Sequence, residues 1–186
     1  LDVDPERSIL LALEALNTSQ TVEAENALRR GLAVSRMRFS WIPKNNFIQG
    51  LAFNPDGTRF ASAGDQGYVQ VWDVNTGEEV LELHSDSKNL SVTTLVYSKD
   101  GKSLIAGDDT GRLQIWDAVT GNLISFFSQQ HSDAIVWMAL SPDGTQLASA
   151  SLDATVKVWD IPSGEQLINI LAYPVGTTST IVAFSP

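Results

Sequence analysis

Hydrophobic and polar residues alternate in three stretches of the chain that look alike. Residues 68–72 read Tyr-Val-Gln-Val-Trp, residues 112–116 read Arg-Leu-Gln-Ile-Trp, and residues 155–159 read Thr-Val-Lys-Val-Trp. Because successive side chains of a β-strand point to opposite faces, a period of two residues predicts that each stretch is a strand. An Asp follows the Trp in all three cases, which indicates equivalent parts of one repeat.

Turn signals divide the chain into units of four strands. An Asp-Gly turn lies upstream of each alternating stretch, as in residues 54–57, and a Gly-bearing turn follows it, as in residues 75–77. Both kinds of turn join the strands of hairpins, so each unit contains two hairpins. The other strands are predicted at residues 48–53, 59–63, 79–83, 92–97, 103–106, 135–140 and 146–150.

The length of the repeat predicts a stack of sheets. The Trp-Asp pairs begin at Trp72, Trp116 and Trp159, which are 44 and 43 residues apart. This period is typical of propeller blades, and one blade cannot bury both of its faces without neighbours. A fourth copy begins at residues 181–186 and stops in mid-motif. We therefore expect an all-β fold with three four-stranded blades and the start of a fourth.

Residues 1–35 follow a helical pattern instead. Asp4 can cap a helix, Pro5 suits its first turn, and the apolar residues that follow recur at helical spacing. Thr21 can cap a second helix after a polar interruption. We therefore expect a short α-helical hairpin, or connector, ahead of the blades at residues 36–186.

The repeated units resemble the blades of WD-repeat proteins. The resemblance covers residues 38–186 and rests on an Asp-Gly turn and a Trp-Asp pair that recur in phase three times. It implies a partial WD-repeat β-propeller. Propellers of this family usually close with about seven blades, so we expect a fragment or a ring that partner chains complete. Residues 4–16 and 23–30 are similar to the helical connector that precedes propellers in bacterial many-domain signal-transduction (STAND-type) ATPases.

Composition narrows the classes of partner. The chain has 12 basic and 22 acidic residues and a formal charge of −10, which disfavours nucleic acids and anionic membranes and favours basic or neutral proteins. Cysteine is absent, so disulfides and thiolate zinc sites are excluded. The apolar stretch at residues 9–16 is too short to cross a bilayer, and we expect a cytoplasmic protein.

His131, Ser149 and Asp153 are the residue types of a hydrolytic triad. The resemblance implies a different role, a buried structural relay in which these three side chains and Trp159 satisfy one another. No Gly-x-Ser-x-Gly sequence surrounds the serine, so we expect no catalytic residue and no enzyme activity.

The relay pattern is incomplete in the other two units. The matching positions hold Lys44, Ser62 and Gln66 in the first unit and Lys88, Ala106 and Thr110 in the second. We therefore expect Trp72 and Trp116 to hold these blades mainly through apolar packing.

The sequence offers two possible metal sites, and the spacing of the residues disfavours both. Residues 73–78 resemble a calcium loop, but the glycine is one place early and the terminal glutamate is missing. Asp117 and Asp160 repeat the arrangement, which indicates turn chemistry. His84 and His131 are 47 residues apart without thiolate partners. We expect neither a metal site nor a cofactor.

The sequence thus favours a non-catalytic module that binds a protein or peptide, basic in character, as the sensor or scaffold of a larger bacterial signalling protein. The alternative is an assembly module whose incomplete propellers pair between chains. Loops between strands can vary without altering a blade, so they are the candidate contacts. The candidate residues are Lys44, Asn45, Asn46, Gln66, Lys88, Asn89, Asp109, Gln129 and Gln130, within loops that extend to residues 85–89 and 129–133.

Overall fold

The computed structural model describes residues 42–84, 90–128, 130–172 and 181–185. The helical hairpin predicted for residues 1–35 lies outside them. No helix among the described residues is long and apolar enough to cross a membrane. The described chain forms twelve strands: β1 Ile48–Phe53, β2 Arg59–Gly64, β3 Tyr68–Asp73, β4 Glu79–His84, β5 Val92–Tyr97, β6 Ser103–Asp108, β7 Leu113–Asp117, β8 Leu123–Phe126, β9 Ile135–Leu140, β10 Gln146–Ser151, β11 Thr155–Asp160 and β12 Gln166–Leu171.

The strands form three antiparallel sheets of four, each made by consecutive strands. We call β1–β4 blade 1, β5–β8 blade 2 and β9–β12 blade 3. The expectation of three four-stranded blades is confirmed, and β1, β5 and β9 have the bounds that the sequence predicted. Most of the other predicted strands are longer by one or two residues, because backbone pairing continues into the turns.

The Asp-Gly turns owe their shape to two residues. Gly144 has a φ of +79°, a left-handed conformation that a side chain disfavours. The carboxylate of Asp143 accepts hydrogen bonds from the Ser141 hydroxyl at 2.5 Å and the Thr145 backbone N–H at 3.0 Å. These bonds, led by the one from Ser141, lower the pKa of Asp143 to about 2. Each turn is therefore held by its own side chains.

The blades meet along their first strands. β1 contacts β5 and β5 contacts β9, and the second strands β2 and β6 also contact the first strand of the next blade. The sheets are therefore closest at these inner strands, as in blades that radiate from a common axis.

Blade 2 is packed on both faces because its residues alternate. Leu104 and Trp116 belong to a buried cluster shared with blade 1, whereas Ile105 and Ile115 belong to one shared with blade 3. The two residues of each pair lie directly opposite each other across β6 and β7. A period of two residues thus supplies two apolar faces from one sheet.

The three repeated tryptophans occupy equivalent buried positions. Trp159, Trp116 and Trp72 expose only 0%, 2% and 6% of their surface. Trp116 lies in the cluster between blades 1 and 2, and Trp159 lies in the cluster between blades 2 and 3. Each of these two indoles therefore packs against the preceding blade.

The expected first strand of a fourth blade is not formed. Residues 181–185 have no strand pairing, although their exposure alternates from residue to residue. A strand is defined by its ladder, and no other described segment pairs with this one. The repeat predicted a strand here, but a partner strand for it is absent from the described part of the chain.

We predict that Trp116→Ala lowers the free energy of unfolding by about 3–5 kcal/mol, because it removes a buried indole from the cluster between two blades. His84→Ala is the control, since the His84 side chain is 61% exposed, and we expect it to cost less than about 1 kcal/mol. Urea denaturation measures both effects. Similar losses for the two variants would contradict the blade assignment.

Candidate functional site

The four predicted relay residues of blade 3 are in hydrogen-bond contact. Trp159 Nε1 donates to Ser149 Oγ at 2.8 Å, Ser149 Oγ lies 2.8 Å from His131 Nε2, and His131 Nδ1 lies 2.9 Å from Asp153 Oδ2. Ser149 and Trp159 are fully buried, and His131 is 4% exposed. The chain of bonds therefore runs through the blade core from an indole to a carboxylate.

Charge is confined to one end of this relay. Burial lowers the pKa of His131 although Asp153 opposes the shift, so the imidazole is neutral near pH 7. Burial alone would raise the pKa of Asp153, but hydrogen bonds from Thr155, Ser132 and His131 outweigh it and hold that pKa well below its usual range. A single tautomer then satisfies every group: Nδ1–H donates to Asp153, and Nε2 accepts from the Ser149 hydroxyl.

The same geometry removes the hydrolytic interpretation of these residues. The Ser149 oxygen accepts from Trp159, and its proton is directed to His131. Because the side chain is fully buried, a substrate cannot reach it. A nucleophile must be accessible beside an oxyanion site, so this trio stabilises the fold and does not attack a carbonyl.

Blade 1 keeps only part of the relay and replaces the rest. Trp72 Nε1 donates to Ser62 Oγ at 2.9 Å, so the indole is satisfied by more than apolar packing. Asn45 takes the place of the missing histidine: its Oδ1 accepts from the Gln66 N–H at 3.0 Å, and its Nδ2 donates to the Tyr68 carbonyl at 3.0 Å. The Asn45 side chain is buried, and its two hydrogen bonds join the segment before β1 to the β2–β3 turn and the start of β3.

Blade 2 uses a carboxylate that the sequence pattern did not reveal. Ala106 has no hydroxyl for the indole of Trp116. Asp108, which is 1% exposed, accepts at Oδ1 from the Thr110 N–H at 2.9 Å and the Arg112 N–H at 3.0 Å. The repeat placed Thr110 at the position of Asp153, and Asp109, which precedes Thr110, is exposed. The position of Asp108 at the end of β6, two residues before Thr110, was the signal that could have identified it.

The aspartates of the Trp-Asp pairs cap turns, in agreement with the preference for turn chemistry over calcium. Asp73 Oδ1 accepts from the Asn75 and Thr76 N–H groups at 2.8 and 2.9 Å. Asp117 binds the equivalent amides of its own turn. Bonds from these backbone amides lower the pKa values of both carboxyl groups.

The predicted contact residues that the structure describes share one edge of the sheets. This edge, which we call the rim, carries the β2–β3, β6–β7 and β10–β11 turns and the segments that enter each blade, because antiparallel strands return to the same side after every hairpin. Lys88, Asn89 and Gln129 lie outside the described residues. The exposed candidates are Lys44, Asn46, Gln66, Asp109 and Gln130.

Backbone hydrogen bonds hold the rim turns in place. Asp109 N–H donates to the Ser91 carbonyl at 2.9 Å, and Leu152 N–H donates to the Ala134 carbonyl at 2.9 Å. His131 N–H donates to the Gly111 carbonyl at 3.0 Å and so links blade 3 to blade 2. The rim therefore displays its side chains from a fixed backbone.

Several carboxylates lie on the described rim, together with the basic side chains of Lys44, Arg112 and Lys157. Asp65, Asp109 and Asp133 carry carboxylates there. Lys44 forms an ion pair with Glu82, and the Lys157 ammonium is turned inward to the Gln130 carbonyl at 2.7 Å. The described rim is thus suited to a positively charged or hydrogen-bond-donating surface.

Two family models match the chain. The model described as "WD domain, G-beta repeat" matches residues 38–73 and 121–160, and the model described as "Anaphase-promoting complex subunit 4 WD40 domain" matches residues 77–140. The two matches of the first model end with β3 and β11, the third strands of blades 1 and 3, and the second of them begins just before β8, the fourth strand of blade 2.

Individual relatives show the same repeats. WD repeat-containing protein 1 of Xenopus tropicalis is 29% identical over 126 residues, 68% of this chain and 14% of the relative. A guanine nucleotide-binding protein subunit beta of Arabidopsis thaliana is 31% identical over 118 residues, 60% of this chain and 31% of the relative. The chain thus matches only a small part of each.

Solved structures agree in fold. The structure titled "Structure of U3-55K" superposes with a TM-score of 0.61 at 27% identity, over 66% of this chain and 38% of that one. "Crystal structure of RRP9 WD40 repeats" gives the same TM-score at 26% identity.

We predict that the stability falls as the pH decreases from 7 towards 5. The unfolded chain takes up a proton on His131 near pH 6.5, whereas the folded chain takes it up only at lower pH, because burial lowers that pKa. Protonation therefore favours the unfolded state. Urea midpoints measured across this range should show a weaker slope for His131→Gln. Equal slopes for the wild type and His131→Gln would contradict the prediction.

Proposed function

Because this chain carries WD repeats that form blades of a β-propeller, we propose that it is a non-catalytic interaction module whose rim binds a basic segment of a partner protein. The observation that carries the proposal is the group of exposed carboxylates and amides on rim turns with a fixed backbone. Protein-binding scaffold roles are general among WD-repeat proteins, and we propose in addition that the partner segment is basic.

Charge supports a basic partner. Asp109 and Asp133 are exposed on the rim, and the chain as a whole has a charge of −10. Carboxylates on a surface attract lysine and arginine side chains and speed the encounter with them. A phosphate backbone would be repelled by the same field.

The fixed backbone supports binding without a large entropic cost. The rim turns are tied to the segments entering the same blade or the next one, as at Asp109, Leu152 and His131. A turn that is already ordered loses little conformational freedom when a ligand binds. Moderate affinity can therefore arise from a few side chains.

The support for a role in an RNA-containing complex is weaker than the support for a basic protein partner. One relative that is 41% identical over 56 residues is the "U3 small nucleolar RNA-associated protein 21" of Saccharomyces cerevisiae, and this match covers 30% of the chain. The acidic charge argues that contacts of this chain would be to the protein part of any such complex.

We also propose that the blades belong to a larger signalling protein. The resemblance of residues 4–16 and 23–30 to the connector of bacterial signal-transduction ATPases supports a cytoplasmic signalling protein in which the blades are the sensor. Occupancy of the rim would then be passed to an effector through residues 1–35.

The test uses a fluorescein-labelled Lys-Gly repeat peptide of twelve residues as probe. We predict that Asp109→Asn with Asp133→Asn weakens its binding roughly tenfold, because two rim carboxylates lose their charge. Fluorescence anisotropy at low salt measures the affinity, and a Glu-Gly repeat peptide and a single-stranded RNA of the same length should not bind.

The matched control removes two charges from the opposite edge of the sheets. Glu78→Gln with Glu165→Gln changes exposed residues of the β3–β4 and β11–β12 turns and should leave the affinity within about twofold. Equal weakening by both pairs would show a nonspecific charge effect and would contradict rim binding.

Pairing between chains is a second candidate function, favoured by the exposed face of blade 3. Leu81 and Leu83 of blade 1 lie opposite Val71 and Val69, on the face that packs against blade 2. Their equivalents in blade 3 are Ile168 and Ile170, opposite Val158 and Val156, and they are 47% and 52% exposed. An apolar sheet face of this kind can bind the blade of another chain.

We predict for this candidate that the chain forms a discrete dimer and that Ile170→Glu converts it to a monomer, because a buried carboxylate would oppose apolar packing. Light scattering coupled to gel filtration measures the mass. Leu171→Glu is the control, since Leu171 is on the other face of the same strand, and should stay dimeric. A monomeric wild-type chain would exclude the assembly function.

A further inference from the structure

A small cavity lies on the edge opposite the rim, between blades 1 and 2. Its volume is about 240 Å³, and its lining residues are Asn54, Asp56, Thr58, Arg59, Tyr97, Gly101, Ala118 and Val119. The lining comes from the β1–β2 turn, the end of β5 and the turns that follow β5 and β7. A drug-sized ligand needs roughly 300–1,000 Å³, so this cavity suits a single side chain.

Tyr97 supplies an unsatisfied polar group to this cavity. The residue is 5% exposed, and its hydroxyl is buried without a hydrogen-bond partner among the described residues. Burial raises the pKa of Tyr97 to about 12, and the charges of Arg59 and Asp56 also act on it. Tyr97, Arg59 and Asp56 all line the cavity.

The repeat shows that the blade does not need this hydroxyl. Tyr97 is the last residue of β5, and the equivalent last residues of β1 and β9 are Phe53 and Leu140. An apolar side chain therefore completes the strand in the other two blades. A buried hydroxyl without a hydrogen-bond partner lowers the stability by about 1–3 kcal/mol. A bound group that accepts a hydrogen bond from this hydroxyl would remove that cost.

Arg59 adds a second donor, and it too is specific to this junction. Its guanidinium makes no hydrogen bond or ion pair within the described part of the chain. The equivalent first residues of β6 and β10 are Ser103 and Gln146. The combination of a tyrosine hydroxyl and a guanidinium is therefore absent from the described junction of blades 2 and 3.

Asp56 limits the charge of the ligand. Its Oδ1 accepts from the Thr58 N–H and hydroxyl at 2.8 and 2.6 Å, which keeps the carboxylate at the mouth of the cavity. A bound carboxylate would be repelled by this group. A neutral carboxamide avoids the repulsion, because its oxygen can accept from Tyr97 and Arg59 while its NH₂ group donates to Asp56.

We propose that this cavity is a second binding site, separate from the rim, which takes the carboxamide side chain of a glutamine or asparagine from a partner protein. The unpartnered Tyr97 hydroxyl and the Arg59 guanidinium are the donors, and Asp56 is the acceptor. Nothing in this site depends on whether the rim binds a basic segment.

The probe is the blocked tripeptide acetyl-Ala-Gln-Ala-amide, with acetyl-Ala-Glu-Ala-amide as its nearly isosteric anionic counterpart. Titration into the ¹⁵N-labelled 186-residue chain is followed by NMR at the Gly101 N–H and the Arg59 Nε–H. We expect saturable shifts of both signals with the Gln peptide at concentrations up to about 10 mM and at least tenfold weaker binding of the Glu peptide.

Variants separate this site from nonspecific binding. Tyr97→Phe should keep or raise the melting temperature, since Phe53 fills the equivalent place, and should weaken the Gln peptide at least tenfold. Arg59→Met provides the same test if Tyr97→Phe alters the fold. Ser103→Ala is the matched control at the junction of blades 2 and 3 and should bind like the wild type.

Three outcomes would overturn the proposal. The first is the absence of any shift at Gly101, and the second is equal or stronger binding of the Glu peptide, which would indicate an anion or a backbone contact. The third is unchanged affinity of both Tyr97→Phe and Arg59→Met. None of these outcomes tests binding at the rim, because that site is probed with the Lys-Gly repeat peptide.

Discussion

Face-to-face burial of neighbouring sheets is the interaction on which the rest of this structure depends. A four-stranded sheet with a period of two presents two faces, and blade 2 buries both, with Trp116 towards blade 1 and Ile105 towards blade 3. Apolar burial of this extent is the dominant stabilising contribution in a fold with short-range hairpins. The rim and the opposite edge keep their positions because these faces are packed.

Polar side chains bind the backbone of the rim turns in all three blades, and a different side chain does so in each blade. Blade 3 uses the His131–Asp153 pair, blade 1 uses Asn45, and blade 2 uses the carboxylate of Asp108. Each joins a turn to a neighbouring strand or loop and so satisfies backbone groups that would otherwise be buried without partners. The variety indicates that the backbone geometry imposes the requirement and that several side chains can meet it.

The two edges of the sheets consequently have different chemistry. The rim carries exposed carboxylates on turns tied by backbone bonds, a surface that favours a charged and extended partner. The opposite edge has tight turns, and there Tyr97 and Arg59 form a small cavity with unused donors. The two proposed sites therefore lie on opposite edges, which the packed blades keep apart.

The sequence by itself determined the strands, the turns and the pairing of each blade, since these follow from local alternation and from glycine and aspartate at fixed places. The relay of blade 3 was implied by the resemblance of the repeats to WD-repeat blades, and His131, Ser149 and Asp153 are in hydrogen-bond contact as that resemblance implied. Tertiary structure alone decided that Asn45 is buried and that Asp108 binds the amides of the β6–β7 turn. It also decided that residues 181–185 have no partner strand and that the Tyr97 hydroxyl has no hydrogen-bond partner among the described residues. The physical reason is that alternation sets which face a side chain occupies, whereas its partners come from segments far away in the sequence.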